Sequence, residues 1–119
     1  MKIAVTAGGK TLEAQVDQRF GRAPLFILYD TETKGFQAID NGQNLNASQG
    51  AGIQAAETVS RLGAECLLTG HCGPKAFRTL SAAGVRVYNG ATGTVADAIA
   101  AFEAGKLTQA AAADVDGHW

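Results

Sequence analysis

Leu25-Phe26-Ile27-Leu28-Tyr29-Asp30-Thr31-Glu32-Thr33-Lys34-Gly35-Phe36-Gln37-Ala38-Ile39-Asp40 is the stretch that decides the architecture. Its first five residues form an apolar run with strong strand propensity. Asp30–Gly35 has hairpin-turn chemistry, and Phe36–Asp40 returns as a second strand. An antiparallel hairpin this early makes the sheet mixed. Lys2–Ala7 reads as a buried strand ahead of the hairpin, so strand one points up, strand two down and strand three up.

Beyond the hairpin the pattern changes. Asn41–Ser48 is rich in turn formers, and from Gly50 apolar residues recur at helical spacing (Ala55, Ala56, Val59, Leu62), with Gly63 placed to stop the helix. Glu65–Thr69 reads as a fourth strand. Gly73 and Pro74 open a second helix, Pro74 standing in the first turn where a missing N–H costs nothing. Ala76, Phe77, Leu80 and Ala83 make its inner face, and Gly84 ends it. Val85–Tyr88 is a fifth strand. Thr94 starts a third helix with Asp97 three residues on, a capping-box arrangement, and Gly105 ends it.

The order β-β-β-α-β-α-β-α predicts an α/β fold with a mixed five-stranded sheet flanked by three helices, its later βαβ units parallel and right-handed. Residues 1–105 are expected to form one domain and 106–119, alanine-rich and acidic, a loosely held tail. Four loops should meet beyond the carboxyl ends of the upward strands: Gly8–Pro24, Asn41–Gly50, Gly70–Gly73 and Asn89–Gly93. Ligands of open α/β sheets usually bind at that end. All three helices also start there, offering unpaired N–H groups and the positive pole of the backbone dipole. Lys10, Arg19, Arg22 and Lys75, with Arg78 one turn further on, face Glu13, Asp17 and Asp40 across it.

Composition narrows the function. The chain has 119 residues, 46% apolar and 18% charged, with a formal net charge of −1, so it is globular and has no global field for nucleic acid or membrane. No apolar run approaches the roughly 18 residues of a membrane span. The start enters a strand directly, too short and polar for a signal peptide. Two cysteines, Cys66 and Cys72, make no disulfide framework, and a reducing cytoplasm is the expected compartment.

His71 and Cys72 stand side by side in the glycine-bracketed turn Thr69-Gly70-His71-Cys72-Gly73-Pro74-Lys75. Imidazole and thiolate suit copper and zinc. The plain alternative is a thiol that packs and a histidine that caps or meets water. Adjacent residues rarely chelate one ion together, and no second Cys/His cluster of structural-zinc spacing exists. The Arg19-Phe20-Gly21-Arg22 turn is either a solvated basic loop with one aromatic anchor or an anion clamp with an apolar contact. Neither a phosphate loop nor G-x-G-x-x-G after a strand is present. A catalytic thiol would need a base brought from elsewhere and an orienting group, and nuclease chemistry would need converging carboxylates, of which only Asp17, Asp40 and Glu13 are near. A non-enzymatic binding protein is expected.

The stretches Arg19-Phe20-Gly21-Arg22-Ala23-Pro24, Gly50-Ala51-Gly52-Ile53-Gln54-Ala55-Ala56 and Leu68-Thr69-Gly70-His71-Cys72-Gly73-Pro74-Lys75-Ala76-Phe77 resemble the dinitrogenase iron–molybdenum cofactor biosynthesis family. The resemblance spans roughly Met1–Lys106. It implies a ribonuclease-H-like fold and non-covalent carriage of metal–sulfur clusters; a monomer is expected. The Gly-His-Cys-Gly-Pro-Lys turn most resembles members that hold an anionic molybdenum–copper sulfide cluster; others handle iron–molybdenum precursors. By this resemblance Arg19, Arg22, Lys75 and the helix starts offset the cluster's charge. Phe20 and the small residues Gly50, Gly52, Gly70 and Gly73 contact its sulfides, and His71 and Cys72 lie near the metal, with no bond assigned to either. A ribonuclease-H-like hydrolase is the rival reading.

Overall fold

The computed structural model describes residues 1–41 and 51–111. Strands β1 (Lys2–Ala7), β2 (Leu25–Asp30), β3 (Phe36–Asp40), β4 (Cys66–Leu68) and β5 (Arg86–Tyr88) form one sheet in the order β3-β2-β1-β4-β5. Among the described residues the helices are α1 (Ala51–Arg61), α2 (Pro74–Ala82) and α3 (Val95–Glu103), with a single 3₁₀ turn at Phe20–Arg22.

β2 pairs antiparallel with both β1 and β3, whereas β4 lies parallel to β1 and β5 parallel to β4. The four strands other than β2 therefore point the same way, as the hairpin parity requires. β1 is central and covered on both sides, so Ile3 to Ala7 are all buried and the strand reads as a continuous apolar run rather than an alternation.

The core has two layers. Ala4, Phe26, Leu28, Leu67 and Val87 pack under Ala55, Ala56 and Val59 of α1 and Ala76 and Leu80 of α2. On the other face Val5, Ile27, Leu68 and Tyr88 pack under Val95, Ala98 and Ile99 of α3, with the Tyr88 and Phe102 rings edge to face at 5.0 Å. Two helices on one face and one on the other place only α1 and α2 side by side.

The local signals for helix ends hold. Thr94 Oγ1 accepts from the Asp97 N–H, and an Asp97 carboxylate oxygen accepts from the Thr94 N–H, a complete capping box. Gly84 follows α2 at φ 82°, a left-handed conformation that side chains resist. Strands four and five are each shorter than expected, beginning at Cys66 and Arg86 rather than at Glu65 and Val85. Glu65 and Val85 are instead the residues by which the chain climbs onto the sheet: Glu65 N–H donates to Lys2 O and Val85 N–H to Leu80 O.

Of the segment expected to lie loose after residue 105, the described part follows the sheet edge. Gln109 bridges Tyr88, and Ala110 N–H donates to Val87 O at 2.7 Å. The free side of β5 is thus partly paired, which blunts an edge that would otherwise invite another strand. His118 and Trp119 lie outside the described residues. None of the described helices is long and apolar enough to cross a membrane.

Candidate functional site

The loop after β1 crosses the carboxyl end of the sheet and is stitched down at each strand it passes. Asp17 N–H donates to Thr6 O, and Thr6 Oγ1 donates to Asp17 O at 2.7 Å within a buried pair with Thr69 Oγ1. Gln18 Nε2 reaches Ala91 O at 3.2 Å. The loop after β5 is tied to the one after β4 by Gly90 N–H to Gly70 O and Ala91 N–H to Thr69 O. Three of the four loops expected to converge are therefore bonded to one another. The fourth begins at Asn41, and the rest of it, Gly50 included, lies outside the described residues.

Arg19 and His71 form an isolated parallel bridge, and the Phe20 N–H donates to His71 O at 3.2 Å. This contact sets the basic Arg19–Arg22 turn directly against the start of α2. Arg19 is exposed and held locally: its N–H donates to Asp17 Oδ1 at 2.9 Å, with its Nε 3.9 Å from the same oxygen. Arg22 is half-buried, Lys75 exposed and His71 half-buried. α1 packs against both the 3₁₀ turn and α2, and Gly52, in its first turn, is buried.

Gly73 is the N-cap of α2 with Pro74 next. Phe77 is the first residue of this helix whose N–H is taken by a backbone oxygen, that of Gly73 at 2.9 Å; among the described residues those of Lys75 and Ala76 have no backbone acceptor. Pro74 contributes no N–H. The first turn of α2 thus presents two donors at the positive pole of the helix, beside Lys75 and across from Arg19 and Arg22.

The third helix start does not belong to this site, contrary to expectation. Val95 N–H donates to Ala14 O and Ala96 N–H to Leu12 O, both at 2.9 Å. The Asp97 carboxylate already stands at the same pole. With its donors used and its dipole answered by a carboxylate, this terminus has nothing left for an anion.

Phe20 and Cys72, expected at the ligand surface, are enclosed, and the glycines Gly52, Gly70 and Gly73 expected beside them are buried as well. Phe20 is 1% exposed and packs against Phe26 with ring centroids 5.8 Å apart and planes tilted by 37°, so the ring anchors the turn from inside. Cys72 is 0% exposed, in the same apolar layer as Ala55, Ala76 and Phe20, with its Sγ 3.7 Å from Gly73 O. Gly70 has a steric reason of its own: a Cβ there would stand 2.7 Å from the Gln18 Cα. Among the described residues no three His, Cys, Asp or Glu side chains gather as a metal-binding group.

Asn41 has the sequence signature of a turn former and does more. It is buried, donates from Nδ2 to Ala23 O and from its backbone N–H to Pro24 O, both at 2.8 Å, and so fastens the end of β3 to the end of the basic turn. The signal in sequence, an asparagine after a strand, is shared with countless exposed turns.

Comparison with known proteins identifies the fold and the family. An orange protein from Desulfovibrio gigas, solved in its apo form, superposes with a TM-score of 0.94 at 43% identity, covering 96% of each chain. A NifB-like Thermotoga protein solved by NMR superposes at 0.80 with 38% identity over 91% of each chain. An uncharacterised protein of Methanocaldococcus jannaschii is 28% identical over 110 residues, covering 90% of this chain and 89% of the relative. The family model for dinitrogenase iron–molybdenum cofactor matches residues 1–105, and the chain belongs to that family.

Proposed function

We propose that this protein binds and carries an anionic molybdenum–copper sulfide cluster, without turnover, on the surface formed by the Arg19–Arg22 turn and the start of α2. The observation that carries this reading is the Phe20 N–H to His71 O bond, which fastens the turn bearing Arg19 and Arg22 to a helix start whose Lys75 and Ala76 N–H groups have no backbone acceptor among the described residues. A thiometallate is a large soft anion whose charge is spread over its sulfides. Main-chain N–H groups, guanidinium and ammonium groups offset such charge without forming metal bonds.

This division of labour fits the donor set. His71, half-buried at the junction, is the metal-type side chain nearest the surface. Cys72 lies behind the turn and shapes it. Such a site retains its cargo by charge, hydrogen bonds and fit, as a carrier that must release it requires. We also read the order β3-β2-β1-β4-β5, with β2 alone antiparallel, as the ribonuclease-H-like arrangement. A cytoplasmic monomer completes the proposal.

The family's description favours a second cargo, an iron–molybdenum precursor, at the same surface. One experiment separates the two. Apo-protein is incubated with tetrathiomolybdate and a copper salt, or with tetrathiomolybdate and an iron salt, then desalted and analysed for metals and sulfide. Molybdenum and copper retained together, with a coloured protein fraction, are expected. Retention only with iron would move the assignment to the precursor, and retention with neither would overturn both.

A further inference from the structure

The second cysteine stands at the opposite end of the sheet. Cys66 is the first residue of β4, and its Sγ lies 3.8 Å from the Sδ of Met1, the chain's single methionine. Cys66 is 0% exposed, whereas Met1 is 37% exposed, so the sulfur pair is closed on the core side and reachable from the Met1 side. Chain topology brings the two together: the Glu65 N–H donates to Lys2 O at 2.9 Å, which sets the entry to β4 beside the start of β1.

Thiolate and thioether are both soft donors, the kind that select Cu(I) over hard divalent ions. An ion bonded to each sulfur at about 2.3 Å, a usual metal–thiolate length, would subtend an S–metal–S angle of about 110° across the 3.8 Å separation. That angle suits a trigonal ion whose third position opens on the exposed Met1 side. The geometry points to a Cu(I) site at the hairpin end, held by the Cys66 thiolate and the Met1 thioether and leaving one position for an exchangeable ligand. On binding, the Cys66 S–H bond breaks, the Cu–S bond forms, and the proton passes to solvent; copper stays Cu(I) throughout. The bland alternative is a buried S–H···S contact that only fills space.

This site lies away from the cluster surface and does not rest on its assignment, so the test uses Cu(I) alone. The full-length reduced protein is titrated anaerobically with Cu(I) in competition with a chromogenic chelator. Uptake of about one equivalent is expected, lost in Cys66→Ser and kept in Cys72→Ser. A second measurement needs no substitution: in selenomethionine protein the selenium stands only at residue 1, and its X-ray absorption fine structure should show a copper neighbour at bonding distance after loading. No uptake by the wild-type chain, an equivalent that survives Cys66→Ser, or a selenium shell without copper would overturn the site. Should Cys66→Ser fail to fold, the selenium spectrum decides.

Discussion

The backbone N–H of Phe20 donates to the carbonyl of His71 across the mouth of the candidate site, at 3.2 Å. One bond thereby couples a basic turn that follows β1 to a helix that follows β4. Because the Phe20 ring is enclosed in the core against Phe26, the turn is held from below, with Arg19 exposed and Arg22 half-buried.

The first prediction uses that arrangement. Arg19 is exposed and its Asp17 partner is a surface contact, worth about 0–1 kcal/mol. Replacing Arg19 and Arg22 together by Ala removes two positive charges from the turn; Arg22 is half-buried and has an interaction of its own, so the stability of the variant is measured beside its binding. Retention of the thiomolybdate–copper cargo should weaken by roughly tenfold, about 1.4 kcal/mol, and the loss should shrink as salt screens the charges. Equilibrium dialysis at two ionic strengths measures both. Equal affinity for variant and wild type would take these arginines out of the site.

Gly70 yields a structural counterpart. A methyl group there would meet the Gln18 backbone at 2.7 Å, and Gln18 is bonded onward to Ala91. Gly70→Ala should lift the loop from the sheet end and cost about 1–3 kcal/mol, read by urea denaturation. A variant as stable as wild type would show that the loop yields freely.

How far the sequence reaches can be judged from such residues. The convergence of loops followed from counting strand directions after the Leu25–Asp40 hairpin, because parity is a local property carried forward along the chain. The Thr94–Asp97 box was legible for the same reason: both partners lie within one turn. The fate of the third helix start was not, since the acceptors for Val95 and Ala96 are Ala14 and Leu12, some eighty residues earlier. The burial of Cys72 and Phe20 is not legible, because residues in irregular turns have no period from which to read a facing direction. Their burial is set by α1 closing over the turn, a tertiary contact.

That enclosure makes Cys72 a test of how the cargo is held. Cys72→Ala should lower stability, since a buried side chain loses its packing, yet leave the absorption spectrum of the loaded protein unchanged. In the native apo-protein Cys72 should not react with a thiol reagent until denaturant is added, as it is enclosed. A shifted charge-transfer band in Cys72→Ala would put the thiol on the metal.

The hairpin carries a stabilising substitution. Lys34 is the non-glycine residue found at positive φ among the described residues, at 62°, a region where a side chain crowds its own carbonyl. Lys34→Gly should relieve about 1 kcal/mol of that crowding, less the extra freedom glycine gives the unfolded chain. A small rise in melting temperature is expected, without effect on cargo binding at the far end of the sheet. A fall would mean that unfolded-state freedom outweighs the backbone relief.

Alkaline stability tests the burial of Cys66. Removal of the Cys66 thiol from water raises its pKa above the ordinary value of 9.0, with Arg86 opposing the rise and Glu65 adding to it. In the unfolded chain the thiol ionises first, so above pH 9 the unfolded state binds fewer protons than the native one. The contribution of this group is thus complete below the unfolded pKa and declines as pH rises toward the folded value, by at most about 1.4 kcal/mol per pH unit for one proton. Chemical denaturation between pH 7 and 10 should show wild type losing stability more steeply than Cys66→Ala on the alkaline side. Parallel profiles for the two proteins would mean that the thiol ionises in the folded chain as readily as in the unfolded one.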